Sequence, residues 1–186
     1  MSIPSTSSRR IFTAFRTPPR LGGVEIITVD SPKAGILRRR AKPVGRVTTE
    51  VQRLVGAMIA AMEDASGLGL AAPQVGVSKR LFVAKVEEQL HVVVDPTIVK
   101  REGEQRATEA CLSIPGIVGE VPRAARVVLK GKNRRGRGIT VDAEGLLARV
   151  IQHEVDHLDG ILFLDRVIDR TTIHEVTDDD EVTPAE

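Results

Sequence analysis

Two histidines that lie four residues apart, His153 and His157, are the side chains of this chain best suited to chemistry. On an α-helix, residues at this spacing lie about one turn apart on the same face. Two imidazoles in that register can bind one divalent metal ion, and Glu154 projects from the flank of the same face. In His-Glu-x-x-His sites of this kind the glutamate moves protons. The segment therefore predicts a metal site with a general base beside it.

The residues around this segment predict the helix that it needs. Leu146 and Val150 precede the two histidines at helical spacing and continue their stripe along one face. Asp142 is placed to cap the start of the helix, and Gly160 stands just past its end. The alternative is a pair of core histidines satisfied by hydrogen bonds, which a glutamate at this spacing disfavours.

A catalytic metal that is held by two histidines needs a third protein ligand and an open position for water. Several downstream side chains could ligate a metal, but their spacing from the two histidines favours none of them as the third ligand. They are Asp159, Asp165, Asp169, His174 and Glu175. Upstream, Cys111 is the only thiol of the chain and lies beside a Pro/Gly turn that suits a fixed loop. A single cysteine is most often a small buried apolar residue, and it becomes a candidate ligand because the two histidines require one.

Length and composition indicate one soluble domain. The chain has 186 residues, of which 41% are hydrophobic and 28% charged, which is enough for a sizeable core. Four Phe with neither Trp nor Tyr argue against a module that stacks bases on exposed rings, and we expect no specific DNA partner. A single cysteine excludes an internal disulfide and favours a reducing compartment. No apolar run reaches the length of a membrane span, so no membrane partner is expected.

Charge is unevenly distributed along the chain. Residues 1–23 carry arginines and no acid, and we expect a flexible arm on a cytoplasmic protein, with an organelle transit peptide of a mitochondrion or plastid as the alternative. Residues 171–186 are expected to form an acidic tail, which leaves residues 24–170 as the domain that carries the site. Seven Lys or Arg and no acid lie between Arg123 and Arg137. A solvated hairpin is the favoured interpretation, and transient ribosome contact is the functional alternative.

Strand-like runs of sequence precede and follow the helix that is predicted to bind the metal. They comprise residues 24–29, 80–86, 91–94, 126–130, 139–141 and 161–164. The third run is expected to end at Asp95-Pro96. A second helix begins near Thr49, with a capping box to Gln52. Strands before one long late helix predict an α+β fold, with mixed or antiparallel sheets packed around a central metal-binding α-helix.

A glycine-rich segment, residues 67–76, follows the first helix. It matches the dinucleotide pattern G-x-G-x-x-A, but a helix precedes it where a strand is required, and Pro73 sits where the next helix should begin. We therefore expect an extended segment whose glycines let another backbone approach closely, such as that of a peptide substrate.

Residues 67–74, 109–113 and 153–157 resemble the three signature motifs of the peptide deformylases, in the same order. The resemblance extends to residues 145–148 and 157–160, and the combination is far more specific than any one motif. It implies a deformylase-like fold and a metal-dependent hydrolase. Such an enzyme removes the N-formyl group from the N-terminal formyl-methionine of newly made polypeptides and releases formate.

The resemblance also implies roles for single residues. Cys111, His153 and His157 would bind one divalent ion per chain, with Fe(II) as the first expectation and zinc, nickel or cobalt as alternatives. The ion would make water nucleophilic near neutral pH. Glu154 would take the proton of that water and return it to the departing amine.

Two donors would stabilise the oxyanion of the tetrahedral intermediate, the side-chain amide of Gln74 and the backbone N–H of Leu112. An apolar pocket would take the methionine side chain, and two extended segments would pair with the peptide like added strands. The pocket residues are Leu68, Leu146 and Val150, and the pairing backbone is that of Gly69, Leu70 and Ala110.

Ala110 departs from the family's second motif, which usually has glycine at this position. If the position requires a positive φ, alanine costs roughly 1–2 kcal/mol of local strain. If it does not, the methyl group only narrows the substrate groove, and activity is expected.

Two other functions remain open. A zinc endopeptidase of the His-Glu-x-x-His type would use a third ligand other than Cys111. A non-catalytic metal-binding protein would close the site with a fourth protein ligand, and the sequence offers no obvious one.

Overall fold

Within the part of the chain that the structure describes, residues 24–176, two α-helices pack against two sheets. The protein is represented by a computed structural model. The predicted arm, residues 1–23, and residues 177–186 of the predicted tail lie outside the described range. The helices are α1 (Thr49–Asp64) and α2 (Gly145–Asp159). The strands are β1 (Gly69–Ala71), β2 (Leu81–Val86), β3 (Gln89–Glu102), β4 (Gln105–Cys111), β5 (Ile114–Arg123), β6 (Arg126–Lys132), β7 (Gly138–Glu144) and β8 (His174–Glu175).

All pairings between these strands are antiparallel. The larger sheet has the order β1-β2-β3-β6-β7, and the smaller one has the order β4-β5-β8. Three pairs of consecutive strands, β2–β3, β4–β5 and β6–β7, are joined by short hairpin connections. The predicted α+β class is confirmed. None of the helices in residues 24–176 is both long and apolar enough to cross a bilayer.

The larger sheet lies between the two helices because β2 is apolar on both faces. Leu81 and Val83 point into a core that they share with α1. Phe82 and Ala84 point to the opposite face, where they pack with α2. Side chains alternate between the faces of a strand, so a continuous apolar run is what a strand covered on both sides requires.

Helix α2 is central, as predicted, because it has a sheet on each side. Ile151 and Val155 pack into the core of the larger sheet. On its other side, Arg149 and His153 form hydrogen bonds with the smaller sheet, both through Glu109 on β4. The helix therefore presents an apolar face to one sheet and a polar face to the other.

The start of α2 corrects one prediction, since Asp142 does not cap it. The helix begins at Gly145, whose φ is 54°, and Glu144 at the N-cap makes no side-chain cap bond. Asp142 instead lies in β7, and its carboxylate accepts two hydrogen bonds from Arg126 on β6, at 2.8 and 2.6 Å. Asp142 therefore forms a cross-strand ion pair, although the helical pattern of the sequence predicted it as the N-cap.

Strand β3 continues through Asp95-Pro96, where the sequence predicted its end. The pairing with β6 shifts register between Val94 and Thr97, and Asp95 has a φ of 51°. A bulge accommodates the proline, which cannot donate to the ladder. The Asp95 carboxylate accepts hydrogen bonds from the backbone N–H groups of Val44 at 2.7 Å and Gly45 at 3.0 Å, and this contact stabilises the irregular conformation.

Two predicted strands, residues 24–29 and 161–164, are not strands. The first is extended but joins neither sheet; its Ile27 N–H donates to the carbonyl of Gln74 at 2.7 Å. The second leads into a 3-10 turn, Phe163–Asp165. The second run is apolar because Leu162 packs over the smaller sheet. The first run divides its side chains, with Ile27 in that core and Ile26 in the core of α1 and the larger sheet. Composition alone does not distinguish such packing from strand pairing.

Sequence patterning missed β4, because four of its seven residues are polar or charged. It also placed the end of the domain at residue 170. In the structure, β8 pairs with β5 through Ile117 and Val118. The folded unit therefore extends past residue 170.

The end of α2 yields a stability prediction. Gly160 ends the helix with a φ of 77°, and a Cβ there would lie 2.8 Å from the backbone carbon of Arg38. Gly145 also has a positive φ, but a Cβ there would meet nothing within 4 Å. We expect Gly145→Ala to lower the free energy of unfolding by about 1 kcal/mol, and Gly160→Ala by about 2–4 kcal/mol, because overpacking adds to backbone strain.

Urea unfolding of the two variants measures this difference. Equal losses would show that the backbone around Arg38 gives way without cost.

Candidate metal centre

Three potential ligands converge at the polar face of α2. The Sγ atom of Cys111 lies 3.2 Å from Nε2 of His157, and that nitrogen lies 3.2 Å from Nε2 of His153. The ligand atoms of all three residues lie within 4.8 Å of one another. The structure thus brings together the three residues predicted as ligands, although Cys111 is far from the histidines in sequence.

Local structure explains why these atoms meet. The two histidines occupy successive turns of α2, so both rings project from one face. Cys111 is the last residue of β4, and the chain turns back at once into β5, where Ile114 pairs with it. Cys111 and His157 are both buried, so their donor atoms face each other and not bulk water.

The chemistry of this donor set fits a divalent ion. The Nδ1 atom of His153 lies 2.9 Å from the Glu109 carboxylate, which accepts its hydrogen and leaves Nε2 free to ligate. A thiolate and two imidazoles suit zinc or Fe(II). Three protein ligands also leave the open position that a catalytic metal requires.

Glu109 is a member of the centre that the sequence reasoning left without a role. Its carboxylate accepts two hydrogen bonds from Arg123, both at 2.9 Å, and one from Arg149 at 2.8 Å. Burial favours the neutral acid, but the hydrogen bonds from Arg123 and His153 outweigh it and hold the pKa of Glu109 well below its usual range. Strand alternation could have identified Glu109 from the sequence, because it lies two residues before Cys111 and its side chain faces the same side of β4.

An ion-pair chain continues from Glu109 to the surface. Arg123 also donates to Asp156 on α2 at 2.5 Å, and Asp156 accepts from Arg166 at 2.7 Å. Arg123 is buried, whereas the side chain of Arg166 is 45% exposed. The sequence shows Asp156 as a charged residue within the amphipathic helix, but the spacing of residues does not predict that Arg123 and Arg166 are its partners.

Glu154 lies beside the ligand cluster in a buried position. It is 3% exposed, and its Oε2 atom has no hydrogen-bond partner within residues 24–176. Burial raises the pKa of Glu154 to about 7. Glu154 directly follows His153 in α2, and this carboxylate oxygen is free to bond with a bound molecule.

Gln74 and Leu112 flank the cluster from two directions. The Gln74 side-chain nitrogen lies 3.7 Å from Cys111 Sγ and donates to Ser113 Oγ at 3.2 Å, while its oxygen accepts from Ala71 N–H at 2.7 Å. The hydrogen bond from Ala71 N–H fixes the Gln74 side-chain amide with its N–H groups directed towards the sulfur of Cys111. Leu112 is half-buried in the turn directly after Cys111.

The residues whose backbone was predicted to pair with the peptide lie on two sheet edges. Strand β1, with Gly69 and Leu70, is an edge of the larger sheet, and β4, with Ala110, is an edge of the smaller one. The segments next to these strands approach each other, since a Cβ on Gly67, before β1, would lie 2.8 Å from Cδ1 of Leu112, directly after β4. Ala110 does not adopt a positive φ, so the strain considered for this position is absent.

The three predicted pocket side chains differ in exposure. Leu68 is 46% exposed, Leu146 is half-buried, and Val150 is 7% exposed within the core of the larger sheet. Leu70 is fully buried against α1, so it offers its backbone and not its side chain to the groove.

A substitution at Gly69 tests whether Glu154 depends on the close approach of β1 for its position. A Cβ there would lie 2.3 Å from Oε1 of Glu154. We expect Gly69→Ala to displace that carboxylate and to lower kcat by about 10²-fold, the typical cost of a misplacement of roughly 1 Å. Zinc content should not change, because none of the three ligand residues is touched.

The control is Gly138→Ala in β7, where a Cβ would meet nothing within 4 Å. Steady-state kinetics and metal analysis of both variants check the prediction, which an unchanged kcat for Gly69→Ala contradicts.

Comparison with known proteins decides the family. Residues 24–172 match the family model of polypeptide deformylase. The chain belongs to the polypeptide deformylase family. A peptide deformylase of Symbiobacterium thermophilum is 45% identical over 159 residues, which cover 84% of this chain and 72% of the relative. A peptide deformylase of Desulfitobacterium hafniense is 49% identical over 131 residues, which cover 70% of this chain and 87% of the relative.

Solved deformylase structures share the fold. The Synechococcus elongatus enzyme has a TM-score of 0.78 at 37% identity and covers 84% of this chain and 86% of its own. The Thermotoga maritima enzyme has a TM-score of 0.75 at 39% identity and covers 78% and 98%. Deformylases are metal-dependent hydrolases that remove the formyl group from an N-terminal methionine, so the predicted family and enzyme class are confirmed.

Proposed function

We propose that this deformylase holds one divalent ion with Cys111, His153 and His157, and that Fe(II) is the native metal, with zinc, nickel or cobalt as substitutes. The observation that carries the proposal is the convergence of one sulfur and two Nε2 atoms within 4.8 Å of one another. When bound, the ion supplies Lewis acidity, which lowers the pKa of water enough to generate a nucleophile near neutral pH.

The chain's own residues then divide the remaining work. Glu154 accepts a proton from the attacking water and returns it to the nitrogen that leaves as the free amine. Its buried, unpartnered oxygen supports this role. The Gln74 side-chain amide and the Leu112 backbone N–H donate to the oxygen that becomes negative in the tetrahedral intermediate. Gln74 is suited to this because its bond to Ala71 N–H holds the amide in place before substrate arrives.

The substrate is the N-formyl-methionyl end of a nascent polypeptide, which lies between the edges of β1 and β4. Backbone groups of Gly69, Leu70 and Ala110 on these edge strands hydrogen-bond with the peptide as an added strand would. The methionine side chain enters an apolar pocket walled by Leu68, Leu146 and Val150. In support, the structure of a 33% identical relative from Acinetobacter baumannii has Met-Ala-Ser bound.

The decisive experiment is formate release from formyl-Met-Ala-Ser by anaerobically prepared protein, with metal analysis of the same sample. The proposal requires formate in proportion to bound metal and no cleavage of acetyl-Met-Ala-Ser. Iron as native metal requires that activity falls in air as the ion is oxidised, and that zinc- or nickel-loaded protein keeps its activity. Retained metal without formate release would favour a non-catalytic metal protein, and cleavage of internal peptide bonds would favour an endopeptidase.

We further infer a transient ribosome contact through the tip of the β6–β7 hairpin. Of the basic residues in this segment, Arg123 is buried and Arg126 is paired with Asp142, so neither is free for a partner. Arg134, Arg135 and Arg137 are exposed at the tip and would meet phosphates. Co-sedimentation with ribosomes should weaken when Arg134 and Arg135 are both changed to Glu.

The protein is proposed to act in the cytoplasm, where nascent formyl-methionyl chains occur in bacteria. Organelle import through residues 1–23 is the alternative. Fusing these residues to a fluorescent reporter distinguishes the two locations.

A further inference from the structure

Arg149 is a buried arginine on the metal-binding helix that the proposed reaction does not use. It lies one turn before His153 in α2 and is 5% exposed. Its Nη1 atom donates to the Glu109 carboxylate at 2.8 Å. A guanidinium that is removed from water in this way requires a fixed partner, because burial of an unpaired charge is very costly.

The same guanidinium joins the helix to both strands of the β4–β5 hairpin. Nη1 also lies within donating distance of the carbonyls of Val121 at 3.0 Å and Ala107 at 3.3 Å, and Nη2 donates to Gln105 at 3.4 Å. Ala107 and Val121 are opposite one another in the pairing of the two strands. Since β4 carries Cys111 and α2 carries both histidines, Arg149 connects the segments that supply the three ligands.

Arg149 also supports the hydrogen bond between His153 Nδ1 and the Glu109 carboxylate. Glu109 Oε1 accepts from Arg123 and from Arg149, while Oε2 accepts from Arg123 and lies against His153 Nδ1. Arg123 is shared with Asp156. Arg149, in contrast, has Glu109 as its one ion-pair partner among the described residues. Its positive charge is therefore directed at the carboxylate that orients the His153 ring.

We propose that Arg149 is a positioning residue for the metal centre, holding Glu109 and the β4–β5 hairpin so that His153 Nε2 and Cys111 Sγ stay in the ligating arrangement. The inference rests on the proposed ligand role of Cys111, His153 and His157. A purely structural ion pair is the alternative, and it would stabilise the fold without affecting how the site binds an ion.

The test compares Arg149→Met with Arg149→Lys. Methionine keeps much of the apolar stem but removes the charge, whereas lysine keeps a charge and three donors. We expect Arg149→Met to weaken zinc binding by about 10–100-fold, the usual effect of losing a partner of a metal ligand. Arg149→Lys should recover most of that loss. Zinc affinity is measured by chelator competition on metal-free protein, with unfolding in urea recorded for each variant.

Arg126→Met is the matched control. Arg126 forms ion pairs with Asp142, Glu102 and Glu144, but its side chain is 42% exposed and these acids do not contact the ligands. This variant should bind zinc as the wild type does. The visible spectrum of cobalt-loaded protein provides a second readout, which should change in Arg149→Met and return in Arg149→Lys.

Equal zinc affinity and an unchanged cobalt spectrum in Arg149→Met, with only the free energy of unfolding reduced, would overturn the proposal. Should that variant fail to fold, Arg149→Gln takes its place against Arg149→Lys, and equal affinities in that pair would overturn it too. Failure of the ligand assignment itself is distinguishable, because Cys111→Ala would then bind zinc normally whatever the Arg149 variants do.

Discussion

Cys111→Ala is expected to bind zinc roughly 10²–10⁴-fold more weakly than the wild-type chain and to lose formate release with it. Zinc sites in small proteins are worth about 10–16 kcal/mol near neutral pH. Removing one of three protein ligands takes away about a third of that free energy, and about 1.4 kcal/mol corresponds to a factor of ten. Chelator competition measures the affinity, and metal analysis after dialysis measures the stoichiometry.

Thr108→Ala is the control for this variant. Thr108 is an exposed residue of the same strand, and its loss should leave zinc affinity and formate release unchanged. A Cys111→Ala protein that keeps both its metal and its activity would contradict the ligand set. That result would restore the endopeptidase alternative, in which another side chain is the third ligand.

Glu154→Gln is expected to lower kcat for formyl-Met-Ala-Ser by about 10²–10⁴-fold, the range typical of lost general acid–base catalysis. The amide has nearly the shape of the carboxylate, so its contact with Gly69 is preserved, but it cannot take up and return a proton. Zinc content and KM should change little, because the three ligand residues and both sheet edges are intact. Steady-state kinetics with metal analysis gives all three quantities.

The stability of the same variant provides an internal check. Glu154 is buried and its pKa is raised to about 7, so the neutral side chain already suits its surroundings. The metal-free Glu154→Gln protein should therefore unfold at no lower urea concentration than the metal-free wild type. The control is Glu50→Gln at the exposed start of α1, which should keep its kcat. A Glu154→Gln enzyme of normal kcat would assign the proton transfer to another group.

Local patterns were sufficient for the helix at the centre of the fold. The apolar stripe, the paired histidines and Gly160 predicted α2, because helical spacing and a residue of positive φ at the end are properties of neighbouring residues. Local patterns failed where a distant partner was involved. Asp142 is a residue type that caps helices, but it lies in β7 two residues before the N-cap, and Arg126 on the adjacent strand engages its carboxylate.

The sequence by itself determined the metal-binding face of α2 and, through the resemblance of its motifs, the family. Only the tertiary structure decided that Cys111 Sγ lies 3.2 Å from His157, and that Glu109 is shared by Arg123, Arg149 and His153. The physical reason is that helix spacing specifies contacts within a turn or two, whereas these contacts join residues of different elements that lie 14 to 46 positions apart in the sequence. Their geometry follows from how the two sheets pack around α2.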